Sequence, residues 1–327
     1  MGWRNDRSMD YACCPIGNKK MKNREKKKLL FIYNPNAGKG MLKPKLSDII
    51  EVFSKAQYEV FVYPTQCVGD ACQKTYNMSD DFSLIVCGGG DGTLNEVVSG
   101  MMKRNVKIPI GYIPAGTMND FANSLGLEKD MVLAAKHVIE GNLFACDVGT
   151  CNDSFFIYVA AFGLFTDVSY QTEQTLKNVI GEAAYVLEGA KRLSNIPSYY
   201  MKITYDGKTI DGDFMIGLIT NSKSIAGLRG ITGKTVLFND GEFEVMLIKK
   251  PKNPVELQEI ITSLLIESFD TEYMYTFKAK SIVLESNEEI PWTLDGEFGG
   301  NHKSVKIDNK QQALELMIKA NIDSKEN

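Results

Sequence analysis

Short apolar runs punctuate the first half of the chain. Residues 29–33 (LLFIY), 58–63, 82–87 and 108–113 read as strands, and the first and third are nearly unbroken, as in a sheet buried on both faces. Between and after them, residues 42–56, 69–77, 93–103, 117–125 and 131–140 read as helices. Strand and helix alternating in this way predict a parallel sheet with helices on both faces. Residues 1–28 show no periodicity, and Met21 is a plausible start because ordered structure is expected about eight residues later.

The rhythm changes after Asp147. Residues 148–150 and 154–160 predict a hairpin turning at Asn152 and Asp153. One long helical pattern follows at 178–193 and a shorter one at 254–267. Otherwise the segments are strand-like: 200–205, 214–220, 243–248, 274–279, 281–285, 304–307 and 314–318. The expected organisation is a basic tail (1–26), an α/β domain with a parallel sheet (27–148) and a β-rich domain (149–320), whose last segment is free to pack back on the first. The fold class is therefore α/β plus β.

Composition narrows the function. The 327 residues are 44% hydrophobic and 24% charged, a globular composition. No apolar run approaches the ~18 residues that cross a bilayer. A net charge of −4 argues against a nucleic-acid partner. Seven cysteines without a CxxC pair, and only His137 and His302, argue against a zinc site or a disulfide framework and fit a reducing cytoplasm. Asp6 stands where a myristoylation signal needs Ser or Thr. Lys19, Lys20, Lys22, Arg24, Lys26, Lys27 and Lys28 crowd the start, either as a solvated tail or as a contact for anionic lipid headgroups.

The sharpest motif is Cys87-Gly88-Gly89-Gly90-Asp91-Gly92-Thr93, between a buried strand and a helix. Glycines let backbone N–H groups approach a phosphate, and the helix start favours an anion. Asp91 would repel that phosphate unless a magnesium ion lay between them. Thr93 and Glu96 have capping-box spacing. Two further loops leave predicted strands on the same sheet rim: Asn34-Pro35-Asn36-Ala37-Gly38-Lys39, which is not a Walker A loop, and Pro114-Ala115-Gly116-Thr117-Met118-Asn119-Asp120, where Thr117 is placed to cap the next helix. Asp147 ends the following strand and is expected on that rim. Far downstream, Leu294-Asp295-Gly296-Glu297 offers two carboxylates around a glycine, either a plain turn or a source of the base a kinase needs. Leu237-Phe238-Asn239-Asp240-Gly241-Glu242 is an oxygen-rich turn able to hold a hard cation.

Together NPNAGKG, GGGDGTLNE, PAGTMNDFANSLG, DVG, FNDGEFEV and LDGEFGG resemble, in order and spacing over residues 27–320, the bacterial diacylglycerol kinase family, related to sphingosine and ceramide kinases. The resemblance implies a nucleotide-binding domain and a C-terminal β-sandwich with ATP in the cleft between them. It implies transfer of the γ-phosphoryl group to a hydroxyl of diacylglycerol or a related lipid at the membrane surface, by a cytoplasmic, peripherally attached enzyme. A homodimer is compatible with it. It carries over Asn34, Pro35, Asn36, Ala37, Gly38, Thr65, Gly90, Asp91, Gly92, Thr93, Leu94, Asn95, Glu96 and Thr117 as ATP contacts, and Lys39 as a phosphate-facing lysine. Asp91, Asp120 and Asp147 are implied to surround a catalytic Mg2+. Asp295 is implied as the base, with Glu297 its competitor. A structural Mg2+ is implied on the Asp240 carboxylate and the carbonyls of Leu237 and Glu242. Two departures stand out: residues 221–227 are poor in glycine, and a proline is missing before Asp240. NAD kinases share the GGDGT string, and a non-catalytic lipid- or nucleotide-binding regulator is the other alternative.

Overall fold

The computed structural model describes residues 26–163, 197–222, 224, 225, 228, 229, 236–266, 269 and 271–319. The helical pattern at 178–193, the basic tail up to residue 25 and part of the glycine-poor 221–227 segment lie outside these residues.

The LLFIY run forms the buried length of β1 (Lys27–Tyr33). Next come α1 (Leu46–Lys55), β2 (Tyr58–Pro64), α2 (Asp70–Tyr76), β3 (Phe82–Gly89), α3 (Asp91–Met102), β4 (Ile110–Pro114), α4 (Asp120–Leu125) and α5 (Met131–Glu140). Strands β2, β1, β3 and β4 lie side by side and pair in parallel. Alternate residues of β1 serve opposite faces, as a pleated strand requires. Leu29 and Phe31 pack with Ile49 and Phe53 of α1 and Ala135 of α5, whereas Leu30 and Ile32 join Leu94, Val97 and Met101 of α3.

The second half is mostly antiparallel. It comprises β5 (Asn142–Cys151), β6 (Ser154–Phe156), β7 (Val159–Gly163), β8 (Tyr199–Tyr205), β9 (Lys208–Thr220), the ribbon β10 (Ser224–Ile225) and β11 (Leu228–Arg229), β12 (Phe243–Lys249), α6 (Pro254–Leu265), β13 (Met274–Ala279), β14 (Ser281–Leu294) and β15 (Glu297–Ile318). Helix α6 begins at Asn253, whose side chain accepts from Val255 N and Glu256 N. Phe156, Phe162, Phe214, Phe243 and Trp292 fill a core of their own.

The mixed α/β class is as expected, but a self-contained parallel sheet is not what forms. Among the described residues, hydrogen bonding runs through thirteen strands in one mixed sheet, with the spine β13-β12-β9-β7-β14-β15-β4-β3-β1-β2. The link is β15, which is antiparallel to β14 and β5 and then parallel to β4 through Leu316↔Ile110 and Met317↔Gly111. Strand β4 is buried along its whole length, so its second edge needs a partner for its backbone polar groups, and the end of β15 supplies one. The run at 154–160 also forms as two strands rather than one. At the break, the N–H groups of Ile157 and Tyr158 turn to the carboxylate of Asp295.

Candidate active site

The carboxyl ends of β1 and β3 open onto a cavity of about 760 Å³. Its walls include Asn34, Asn36 and Ala37 after β1, Thr65 to Gly69 after β2, Gly90, Gly92, Thr93, Asn95 and Glu96 around the start of α3, Gly116 after β4, and Glu297 and Phe298 from β15. The cavity therefore joins sequence segments about two hundred residues apart.

Helix α3 starts with Gly90 in extended conformation as its N-cap and no side chain capping it. Gly90, Gly92 and Thr93 at that helix start line the cavity, and a helix N-terminus suits an anion. The capping box expected from Thr93 and Glu96 does not form. Instead the Glu96 carboxylate accepts from Gly69 N (2.7 Å) and Ala71 N (3.0 Å), tying the 65–69 loop to α3. Thr93 Oγ1 accepts from Asn34 Nδ2 at 3.5 Å, and Asn34 Oδ1 accepts from Asn36 N at 2.9 Å. The first loop packs tightly on the third: a Cβ on Gly38, at φ +53°, would lie 2.2 Å from the Ala115 carbonyl oxygen. Only glycine fits both that conformation and that approach.

Glu297 reaches over the start of α3. A Cβ on Gly92 would lie 2.9 Å from Glu297 Oε1, so the missing side chain of Gly92 lets the carboxylate come this close. Burial, and then the Glu96 charge, raise the Glu297 carboxyl above the ordinary glutamate value.

Three aspartates converge beside this wall. Asp91 accepts from Asp120 N (2.9 Å) and Phe121 N (3.4 Å), which fixes the start of α4 against α3. Burial pushes Asp91 up to about 7, and the charges of Asp120 and Asp295 add to the rise. Asp120 is buried, and its helix begins after Asn119, at φ +52°, rather than after a capping Thr117. Asp295 is 3% exposed, and its carboxylate is fully engaged. Oδ2 accepts from Ile157 N (2.7 Å) and Asn95 Nδ2 (2.7 Å), and Oδ1 from Tyr158 N (2.9 Å) and Val159 N (3.0 Å). Burial raises its pKa, and these donors pull it back.

Not every expected residue reaches the cavity. Leu94 is wholly buried in the core, so its side chain cannot touch a nucleotide. Asn95 lines the wall, but its amide also holds Asp295 and the Phe155 carbonyl. Lys39 is exposed, at φ +61°, on the turn after β1 and is not part of the wall. Thr117 lines a neighbouring cavity of about 280 Å³ with Gly38, Met41 and Met131. Asp147 does not join the Asp91 group. It is fully buried and accepts from Gly241 N (2.7 Å), Gln312 N (2.7 Å) and Asn309 Nδ2 (3.2 Å), which ties β5 and β15 to the 238–241 turn.

Two sites bear on magnesium. Asp91 and Asp120 place a raised carboxyl and a second acidic group beside a phosphate-sized wall, the hard-oxygen chemistry that Mg2+ takes. The structural site at Leu237, Asp240 and Glu242 does not fit a divalent ion. Asp240 Oδ2 accepts from Lys278 Nζ at 3.0 Å and Oδ1 from Glu242 N at 3.1 Å, so a positive charge already faces that carboxylate. Lys278 also lies 3.2 Å from Glu244 Oε1. Among the described residues, no group of three or more His, Cys, Asp or Glu is placed to hold a metal ion.

Sequence reasoning missed Gln66, Cys67, Val68, Gly69, Gly116 and Phe298 as wall residues. Gly116 had a signal in the loop motif after the fourth strand and Phe298 in its place directly after Glu297, whereas residues 66–69 belonged to no motif.

Comparison with known proteins identifies the family. Residues 28–151 match the family model "Diacylglycerol kinase catalytic domain". The chain is 34% identical over 276 residues to the diacylglycerol kinase of Bacillus subtilis, covering 84% of this chain and 91% of that one. It is 35% identical over 288 residues to that of Staphylococcus carnosus, covering 88% and 94%. A solved structure of a proposed diacylglycerol kinase from Bacillus anthracis superposes with a TM-score of 0.74 at 26% identity, covering 90% and 98%.

Proposed function

Because the chain belongs to the diacylglycerol kinase family, and is by that membership a lipid kinase drawing its phosphoryl group from ATP, we propose that the 760 Å³ cavity holds ATP and that a hydroxyl of diacylglycerol is phosphorylated at Glu297. The observation carrying this reading is the position of Glu297 over Gly92, on the wall where α3 begins. A γ-phosphate on the N–H groups of Gly90 to Thr93 would lie beside that carboxylate. The acceptor oxygen attacks the γ-phosphorus, the bond to the β-phosphate oxygen breaks, and the hydroxyl proton passes to Glu297.

Glu297 replaces Asp295 as the proposed base. Four donors already occupy the two Asp295 oxygens, leaving little room for a substrate proton, whereas Glu297 faces the cavity. Asp295 acts as a positioning residue that clamps the β14–β15 turn to the 157–159 segment. Asp91 and Asp120 would hold a magnesium ion, which when bound would neutralise charge on the transferring phosphoryl group. Residues 27–148 would form the nucleotide-binding half and 149–320 the half that brings the base.

The acceptor resides in a bilayer, so we place turnover at the membrane surface, with basic residues near the start as an electrostatic contact. Lys28 contributes little to that contact, because it pairs with Asp81. Among the described residues no helix is long and apolar enough to cross a membrane. The test is phosphorylation of diacylglycerol by labelled ATP, with NAD as the competing acceptor. Labelled phosphatidic acid supports the reading, and labelled NADP with no labelled lipid overturns it.

A further inference from the structure

Two large apolar side chains stand in solvent on the wall of a cavity whose other lining residues are mostly polar or glycine. Val68 is 95% exposed and Phe298 is 72% exposed. Neither sits on a frayed segment. The 65–69 loop is held by Thr65 N on the Tyr33 carbonyl (2.9 Å), Gln66 N on Asp70 Oδ2 (2.7 Å) and Gly69 N on Glu96 Oε1 (2.7 Å). Phe298 pairs with Thr293 across the β14–β15 ladder. Fixed apolar groups in water at a binding mouth mark a surface that something apolar covers.

We infer that Phe298 and Val68 form an apolar lip that receives the acyl chains of the acceptor lipid. This rests on the proposed function, because it takes Glu297 as the group that meets the acceptor hydroxyl. Phe298 lines the same wall of the cavity as Glu297, so its ring lies within reach of carbon attached to that hydroxyl. In a diacylglycerol the ester-linked chains begin within a few bonds of the hydroxyl, where polar walls would not bind them. The polar part of the cavity, Asn34, Asn36, Thr65 and Gln66, is left for the nucleotide.

The test compares Phe298→Ser, Val68→Ser and Phe298→Leu, each first checked for an unchanged Tm. In mixed micelles of dioleoylglycerol, each serine variant is expected to raise KM for the lipid roughly tenfold, the scale of one lost apolar side-chain contact. KM for ATP should stay constant, and Phe298→Leu should keep the lipid KM near wild type. Flotation with phosphatidylcholine vesicles containing dioleoylglycerol should weaken in the same variants, a readout that needs no turnover. A rise in KM for ATP with an unchanged lipid KM would instead put the ring on the adenine and overturn the inference. Equal losses for serine and leucine would also overturn it. A wild-type protein that phosphorylates no lipid fails the proposed function; the flotation series still decides the lip.

Discussion

Replacing Asp295 by asparagine separates a clamp from a base. The side chain keeps its shape but exchanges one acceptor oxygen for an NH2 group. Each carboxylate oxygen accepts two N–H bonds, so whichever way the amide turns its NH2 meets two donors, either buried Tyr158 N and Val159 N or buried Ile157 N and the half-buried Asn95 amide. Leaving a buried donor unpaired costs about 1–3 kcal/mol, and hydrogen bonds to a charged group are the stronger kind. The expected loss is therefore about 2–6 kcal/mol of stability, offset in part because the raised carboxyl no longer has to be kept ionised in a buried place. Glu297→Gln removes a carboxylate that faces the cavity and should leave stability within about 0.5 kcal/mol. It should lower kcat roughly 100-fold or more, the usual contribution of a positioned base. Urea unfolding and steady-state kinetics on the two variants decide the matter. A fully stable Asp295→Asn that is dead, beside an active Glu297→Gln, would refute the reasoning and return the proton to Asp295.

Gly92→Ala would bring a methyl within 2.9 Å of Glu297 Oε1, so kcat should fall roughly tenfold or more while Tm holds; an unchanged kcat would show that the carboxylate has no need of that position. Glu96→Ala frees Gly69 N and Ala71 N, and isothermal titration should show ATP bound roughly tenfold more weakly, with kcat at saturation little changed. Asp91 binds its proton more tightly folded than unfolded, so its contribution to stability is full below its unfolded value near ~4 and is lost as pH rises through about 7. Thermal melts in EDTA across that window should therefore fall less steeply for Asp91→Asn than for wild type, and parallel slopes would argue against the raised carboxyl.

Much of the first half was legible because its signals are local. The run at 29–33 is buried on both faces, and glycine before and after Asp91 leaves few alternatives to a strand–turn–helix. What stayed hidden depends on residues distant in sequence. Nothing near Ile157 announces that its N–H will turn to a carboxylate 138 positions away, so the split between β6 and β7 could not be read from the run itself. Glu96 has the spacing of a local cap, yet the loop after β2 offered two N–H groups and won its side chain. Spacing likewise could not rank Asp295 against Glu297, because two residues apart on one turn they differ only in what folds around them. Lys278 gave no hint of itself in the motif around Asp240, since it arrives from the neighbouring strand.

Strand β15 has a consequence for synthesis. It begins with Glu297 and ends beside β4, so a stretch made well after the glycine loop both carries the proposed base and closes the edge of the sheet that bears that loop. Until it emerges, the edge of β4 that β15 covers stays unpaired, the kind of edge on which nascent chains pair wrongly with one another. A chain halted before β15 would thus lack Glu297, the proposed base, and leave that edge open at once, so such partial products should be prone to aggregate.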